Sequence, residues 1–258
     1  MNGKRVVVTG GASGIGRETV RLLAAGGATV IVADIDGPGA EAVAREVGGI
    51  GAVLDVADPR AWQRFADAMA GDGLDLAVLN AGVLTGEDRL AHLDEATYLR
   101  ALSINVGGVV HGIRALTPLL ARRHGAFAVT ASLAGLVPFP TDPIYALTKH
   151  ALVGFVRSVA PQLAADGVRV NLVCPGMTDT ALVTEGMAQA LAAANFPLMA
   201  PTQIAAALVE ALGLTDTGQA LVCQPGRPAT LFRFPNVPGP VVAGTGGVRP
   251  PDDLGARP

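Results

Sequence analysis

Arg5-Val6-Val7-Val8-Thr9-Gly10-Gly11-Ala12-Ser13-Gly14-Ile15-Gly16 reads as a strand, a tight turn and the start of a helix. Val6 to Val8 are apolar at every position, as a strand covered on both faces must be. Glycines at 10, 14 and 16 permit a tight turn and bring the backbone and the next helix close to a bound pyrophosphate. The helix N-terminus offers that anion its free N–H donors. Ser13 and Ile15 lie in the same turn and are expected to line it. A glycine-rich turn without a ligand is the alternative for this stretch alone.

The second strand narrows that choice. It ends at Asp34, eighteen residues beyond Gly16, where a carboxylate can accept both hydroxyls of an adenosine ribose. A 2′-phosphate at the same place would meet the carboxylate's charge. The sequence therefore predicts NAD in preference to NADP, and neither Ser13 nor Ile35 supplies the positive charge that would reverse this.

Short β-branched runs continue along the chain with helical stretches between them, the alternation of a parallel sheet with helices on both faces. Strands are predicted at 5–9, 28–33, 51–55, 74–79, 126–131, 169–173 and 219–223. Helices are predicted at 14–26, 37–48, 58–71, 94–121, 144–166, 178–194 and 202–213. Asp58-Pro59, Asp142-Pro143 and Pro201-Thr202 are start signals for three of them. The expected fold is a doubly wound, Rossmann-like α/β sheet of seven parallel strands forming one domain over residues 1–223. From Gln224 onward eight prolines and six glycines crowd 35 residues, and an irregular tail over 224–258 is expected.

The chain holds only two lysines and two tyrosines, and Tyr145 stands four positions before Lys149. On a helix such a pair shares one face. An ammonium about 5 Å from a phenol favours the phenolate by roughly 3 kcal/mol at an effective dielectric near 20. That predicts a tyrosine drawn from about 10 towards neutrality, fit to exchange protons with a substrate. A surface pair with a half-buried ring is the bland alternative.

Composition bounds the rest. Half of the 258 residues are apolar, ample for a core, and the net charge of −3 gives no basic excess for nucleic acid. Cys174 and Cys223 are too few for a disulfide framework or a zinc site, and a reduced, cytoplasmic setting is expected. No secretory leader is read in residues 1–5, and no apolar run reaches the roughly 18 residues of a membrane span. The four histidines, His92, His111, His124 and His150, have no ligand spacing, so no metal is expected.

Thr9 to Gly16 has the spacing T-G-x-x-x-G-x-G. Together with Asn80-Ala81-Gly82 and the Tyr145 to Lys149 pair, it resembles the classical short-chain dehydrogenase/reductase family, over positions 4 to about 222. The resemblance implies a bound nicotinamide dinucleotide and a homodimer or homotetramer. It implies that Asp55 and Val56 read the adenine and that Asn80, Ala81 and Gly82 wall the cofactor pocket. Pro175, Gly176 and Thr180 match the stretch that holds the nicotinamide carboxamide, with Thr178 between them.

The same resemblance assigns the chemistry. Ser132, thirteen residues before Tyr145, hydrogen-bonds the substrate oxygen while Tyr145 exchanges its proton. Lys149 lowers the tyrosine pKa, holds the nicotinamide ribose, or does both. Asn105 matches the asparagine that anchors a water beside the lysine. The implied reaction is hydride transfer between a secondary alcohol or ketone and nicotinamide, with oxidation the direction favoured by an NAD pool.

Leu133, Leu136, Val137 and Phe139, with Met177, Leu182, Val183, Met187 and Phe196, make both segments flanking the cleft apolar, so a hydrophobic alcohol or ketone is expected. Ordinary packing is the alternative for these residues. Two other functions remain open: a dinucleotide-binding regulator without chemistry, and an extended-branch epimerase or dehydratase. The first would tolerate damage to Ser132, Tyr145 or Lys149, and the second fits the glycine spacing poorly. Past Val222 the chain departs from the family, which puts the terminal tetramer contact in doubt and leaves a dimer through the long helices as the expectation.

Overall fold

Strand β1 (Arg5–Thr9) lies inside the sheet because its valines are apolar towards both faces, and Val6, Val7 and Val8 have no exposed surface. The computed structural model describes residues 1–235. Around β1 stand β2 (Thr29–Asp34), β3 (Ile50–Val53), β4 (Leu76–Leu79), β5 (Ala126–Thr130), β6 (Arg169–Pro175) and β7 (Ala220–Cys223), all parallel. The seven run in the order β3-β2-β1-β4-β5-β6-β7. After β3 the chain returns to the other side of β1, and this reversal opens a crevice at the C-terminal ends of β1 and β4.

Two cores follow from the strand pleat. Val7, Ala77 and Phe127 face helices α3 (Pro59–Met69), α5 (Gly108–Ala121) and α6 (Pro143–Ala165), whereas Val6, Val8 and Val78 face α1 (Gly14–Ala25), α2 (Gly37–Val47) and α8 (Pro201–Gly213). The doubly wound α/β architecture is as expected, with one addition. An eighth strand, β8 (Thr230–Leu231), pairs antiparallel with β7 and covers that edge. It falls inside the segment expected to be irregular. The part of that tail beyond residue 235 lies outside the described residues.

Two helices differ from the sequence pattern. The predicted 94–121 helix runs without a break but widens midway: α4 (Glu95–Leu102) passes through a π-turn, Ser103–Gly107, into α5. The stretch 95–121 is 27 residues long and apolar enough by composition to cross a bilayer. Its Val109, Ile113, Leu116, Leu119 and Leu120 are buried among the other core residues. The predicted 178–194 helix begins only at α7 (Glu185–Ala193). Thr178 bridges to Met199, the Thr180 hydroxyl accepts from Leu182 N, and Thr184 caps α7 through Met187 N. These threonine turns compete with the helix that the alanines and leucines favour.

Trp62 ties α3 to the site. Its ring is buried at 1% exposure and packs edge-on against Phe65. Its Nε1 donates to the Val56 carbonyl at 3.0 Å, which fixes the segment after β3. Gly112 of α5 makes room for it, since a Cβ there would sit 2.9 Å from the indole. Replacing Trp62 by alanine is expected to cost about 3–5 kcal/mol. A shift of the urea midpoint, followed by far-ultraviolet circular dichroism, checks this.

Candidate active site

The glycine turn is shaped by contacts that leave no room for a side chain. A Cβ on Gly16 would lie 1.9 Å from the Gly10 carbonyl oxygen, so α1 starts directly against the turn. Gly10 (φ +64°) and Gly14 (φ +51°) take left-handed conformations. Helices α2, α3, α4, α6 and α7 are capped by the side chains of Asp36, Asp58, Asp94, Asp142 and Thr184. Ser13 makes no such bond at α1. The first amides of α1, at Gly14, Ile15 and Gly16, therefore keep their donors for an anion, which fits a pyrophosphate.

Asp34 ends β2 beside this turn. Its Oδ2 accepts from Ala12 N and its Oδ1 from Asp36 N, both at 3.0 Å. Past it, Ile35 and Val53 are 70% and 73% exposed. Asp55 is exposed and bonds Ala57 N, while Val56 is buried and its carbonyl is taken by Trp62.

Asn80 joins three strand ends. Its amide Nδ2 donates to the Thr9 and Gly10 carbonyls at 3.2 and 3.4 Å, and its Oδ1 accepts from the Thr130 hydroxyl at 3.1 Å. Thr9 in turn accepts from the Asn80 and Ala81 amides. The Thr130 carbonyl then receives Lys149 Nζ at 2.9 Å. Gly82 closes the ring, because a Cβ there would stand 3.3 Å from Asn105 Oδ1 and 3.6 Å from Lys149 Nζ.

The structure thus brings Ser132, Tyr145, Lys149 and Asn105 to one end of the sheet. Ser132 lies two residues past β5 near the Tyr145 phenol, and its hydroxyl accepts from Ala134 N at 3.1 Å. Lys149 Nζ sits 5.4 Å from the Tyr145 ring centroid. Asn105 occupies the middle of the π-turn, a wider coil that carries its side chain out of the helix. That side chain accepts from Val83 N at 2.8 Å and donates to the Val83 carbonyl at 2.9 Å and to Thr148 Oγ1 at 3.1 Å.

The electrostatics depart from the sequence argument. Burial pushes the Tyr145 phenol up to about 12; the nearby Ser132 hydroxyl opposes this, and the Asp142 charge adds to the rise. Burial also brings the Lys149 amine down to about 8. The ammonium was expected to draw the phenol towards neutrality, but both groups lie in a desolvated pocket that penalises either charge before they act on each other.

Pro175 and Gly176 leave β6 with Gly176 N bonded to the Cys223 carbonyl. The Thr180 methyl adjoins Gly14, joining this stretch to the glycine turn. Thr178 is turned inward, 7% exposed, with its hydroxyl donating to the Gly176 carbonyl. The apolar set divides likewise: Leu133 and Leu136 pack on the core, whereas Val137, Leu182 and Phe196 remain 51%, 39% and 48% exposed. Phe139 stands edge-on to Tyr145 with centroids 6.0 Å apart. Cys174 is fully buried beneath the site. Sequence reasoning missed Thr130, Thr148 and the buried side of Asp142; only the helix-start signal at Asp142 pointed to any of them.

A family model described as short chain dehydrogenase matches residues 4–190. The 2,5-dichloro-2,5-cyclohexadiene-1,4-diol dehydrogenase of Sphingobium indicum is 37% identical over 194 residues, 72% of this chain and 77% of its own length. The cis-4-hydroxycyclohexanecarboxylate dehydrogenase of Sinomonas cyclohexanicum is 38% identical over 185 residues, 69% of this chain and 74% of the other. A crystal structure of 3-ketoacyl-(acyl-carrier-protein) reductase from Brucella melitensis complexed with NADH superposes with a TM-score of 0.81 at 26% identity, covering 88% of this chain and 98% of that one.

The buried amine has a measurable signature in the ligand-free protein. Lys149 falls from 10.5 to about 8 on folding, so the unfolded chain holds the proton more tightly between these values and stability rises with pH across that window. Lys149→Met has no such slope. It is expected to exceed the wild type by roughly 3 kcal/mol at pH 7, less about 1 kcal/mol for the donor lost at Thr130, with the gap closing towards pH 10. Urea midpoints of both proteins at several pH values test this, and a gap independent of pH refutes it.

Proposed function

Because the chain belongs to the short-chain dehydrogenase family and is an oxidoreductase for hydroxyl-bearing substrates, we propose that it is an NAD-dependent dehydrogenase of apolar, ring-sized secondary alcohols. The observation that carries this reading is the convergence of Ser132, Tyr145 and Lys149 on the strand ends beside the uncapped α1 N-terminus.

For the cofactor, Gly10, Ser13, Gly14, Ile15 and Gly16 would cradle the pyrophosphate. Asp34 would take the adenosine ribose hydroxyls and disfavour a 2′-phosphate. Asp55 and Val56 would border the adenine, for which the uncovered Ile35 and Val53 provide apolar surface. Asn80, Ala81, Gly82, Pro175, Gly176 and Thr180 would wall the nicotinamide half, with Thr178 holding the Gly176 carbonyl from behind. When bound, the dinucleotide supplies the hydride acceptor and, oxidised, a fixed positive charge.

For the chemistry, Ser132 hydrogen-bonds the substrate oxygen and Tyr145 takes the hydroxyl proton. Lys149, held by the Thr130 carbonyl, supplies the positive charge that favours the phenolate and reaches the ribose. Asn105 keeps the Val83 wall against α6 beside that amine. Exposed Val137, Leu182 and Phe196 support an apolar substrate, and the two relatives named for oxidation of six-membered carbocyclic alcohols support its size. Exposed Leu99 and Leu147 on α4 and α6 support a homodimer through those helices, with β8 already filling the β7 edge. The unpaired cysteines suit a reducing cytoplasm.

Reduced-nicotinamide absorbance over a panel of cyclic and acyclic secondary alcohols, with NAD and NADP in parallel, tests the assignment. Tyr145→Phe is expected to retain NAD binding and lose at least about 100-fold in turnover. Asp34→Ala is expected to narrow the preference for NAD. Turnover confined to small polar sugars or acids, or an unimpaired Tyr145→Phe, would refute the reading.

A further inference from the structure

One buried carboxylate has no part in the chemistry above. Asp142 is 2% exposed and makes no ion pair with a cation among the described residues. It accepts four hydrogen bonds: Oδ1 from the Thr85 hydroxyl at 2.7 Å and Tyr145 N at 2.8 Å, Oδ2 from Thr85 N at 2.7 Å and Gly86 N at 3.1 Å. Every partner is a donor, so both oxygens act as acceptors. Serine, threonine or asparagine would suffice as a helix cap. None of them can accept four bonds, and an asparagine NH₂ would face two backbone donors.

The bonds join distant parts of the chain. Residues 83–86 follow the Asn80-Ala81-Gly82 end of β4. Asn105 grips this segment at Val83 and Asp142 grips it at Thr85 and Gly86. The same carboxylate caps the helix on which Tyr145 sits in the first turn. We propose that Asp142 is a positioning residue that clamps the 83–86 wall of the cleft to the Tyr145 helix, setting both the substrate's seat and the field at the phenol.

Ionisable groups facing the phenol are Asp142 at the N-cap of α6, Lys149 within α6 and Cys174 from β6; Glu87, Asp88 and Arg89 lie further along the clamped loop. The Asp142 charge raises the phenol pKa, and the Cys174 thiol is itself pushed up to about 12 and stays neutral. Removing the Asp142 charge therefore favours the phenolate, whereas loosening the wall without removing charge affects substrate binding alone. The kinetic half of this inference rests on the dehydrogenase reading; the structural half does not.

The test uses a Tyr98→Phe background, in which Tyr145 is the only tyrosine. Tyrosinate absorbance after rapid pH jumps then reports Tyr145 directly, and amide exchange reports Thr85 and Gly86. Asp142→Asn is expected to lower the tyrosinate midpoint and to speed exchange at both amides. In turnover, its acid limb of kcat/KM moves the same way. Thr85→Val is expected to raise KM for the alcohol while leaving kcat and the limb in place, with Thr85→Ser restoring KM. An unmoved midpoint, or unchanged exchange at Thr85 and Gly86, in Asp142→Asn overturns the proposal. If the wild type turns over no alcohol, the functional reading fails, and the titration and exchange data still decide the role of Asp142.

Discussion

Three parallel strands end on one side chain. Asn80 donates to the end of β1, accepts from the end of β5 and terminates β4 itself, so the C-terminal rims of all three are held together. Thr130 extends the knot by presenting its carbonyl to Lys149. The glycine turn and the Tyr145–Lys149 end of the cleft are therefore parts of one hydrogen-bonded unit. Buried polar atoms in such a unit must all be satisfied, and among the described residues no buried side-chain nitrogen or oxygen lacks a partner. A change at any member would unsettle the others.

Desolvation dominates the charges in this unit. The phenol and the amine are both driven towards neutrality, the first upward and the second downward. A pairwise Coulomb estimate at a uniform dielectric predicts the opposite for Tyr145, because it counts attraction and omits the loss of water. The pocket consequently holds the phenol neutral and weakens the grip of the amine on its proton. That is a property of the packing around α6 and β5, and neither residue carries it alone.

Elements whose signals lie within a few residues were legible. Asp58-Pro59 and Asp142-Pro143 start helices as their capping chemistry requires, and the apolar runs at 6–8 and 126–129 became fully buried strand interiors. Elements that depend on distant partners were less so. The start of α7 is set by Thr178 meeting Met199, and β8 exists because β7 offers it an open edge. The π-turn at Asn105 depends on Val83 and Thr148, residues 22 and 43 positions away.

By itself the sequence determined the glycine turn and the alternation of strands and helices, since each follows from backbone sterics or periodicity along a few turns of chain, whereas Ser132 and Asn105 were named through the family resemblance. Only the tertiary structure decided how the cleft residues are held and charged: that Asn80 ties the rims, that the Thr178 hydroxyl is taken by the Gly176 carbonyl, that Asp142 reaches 57 positions back to Thr85, and that Tyr145 and Lys149 lose their water. Burial and long-range hydrogen bonding depend on what the fold packs against a residue, and no local pattern carries that information.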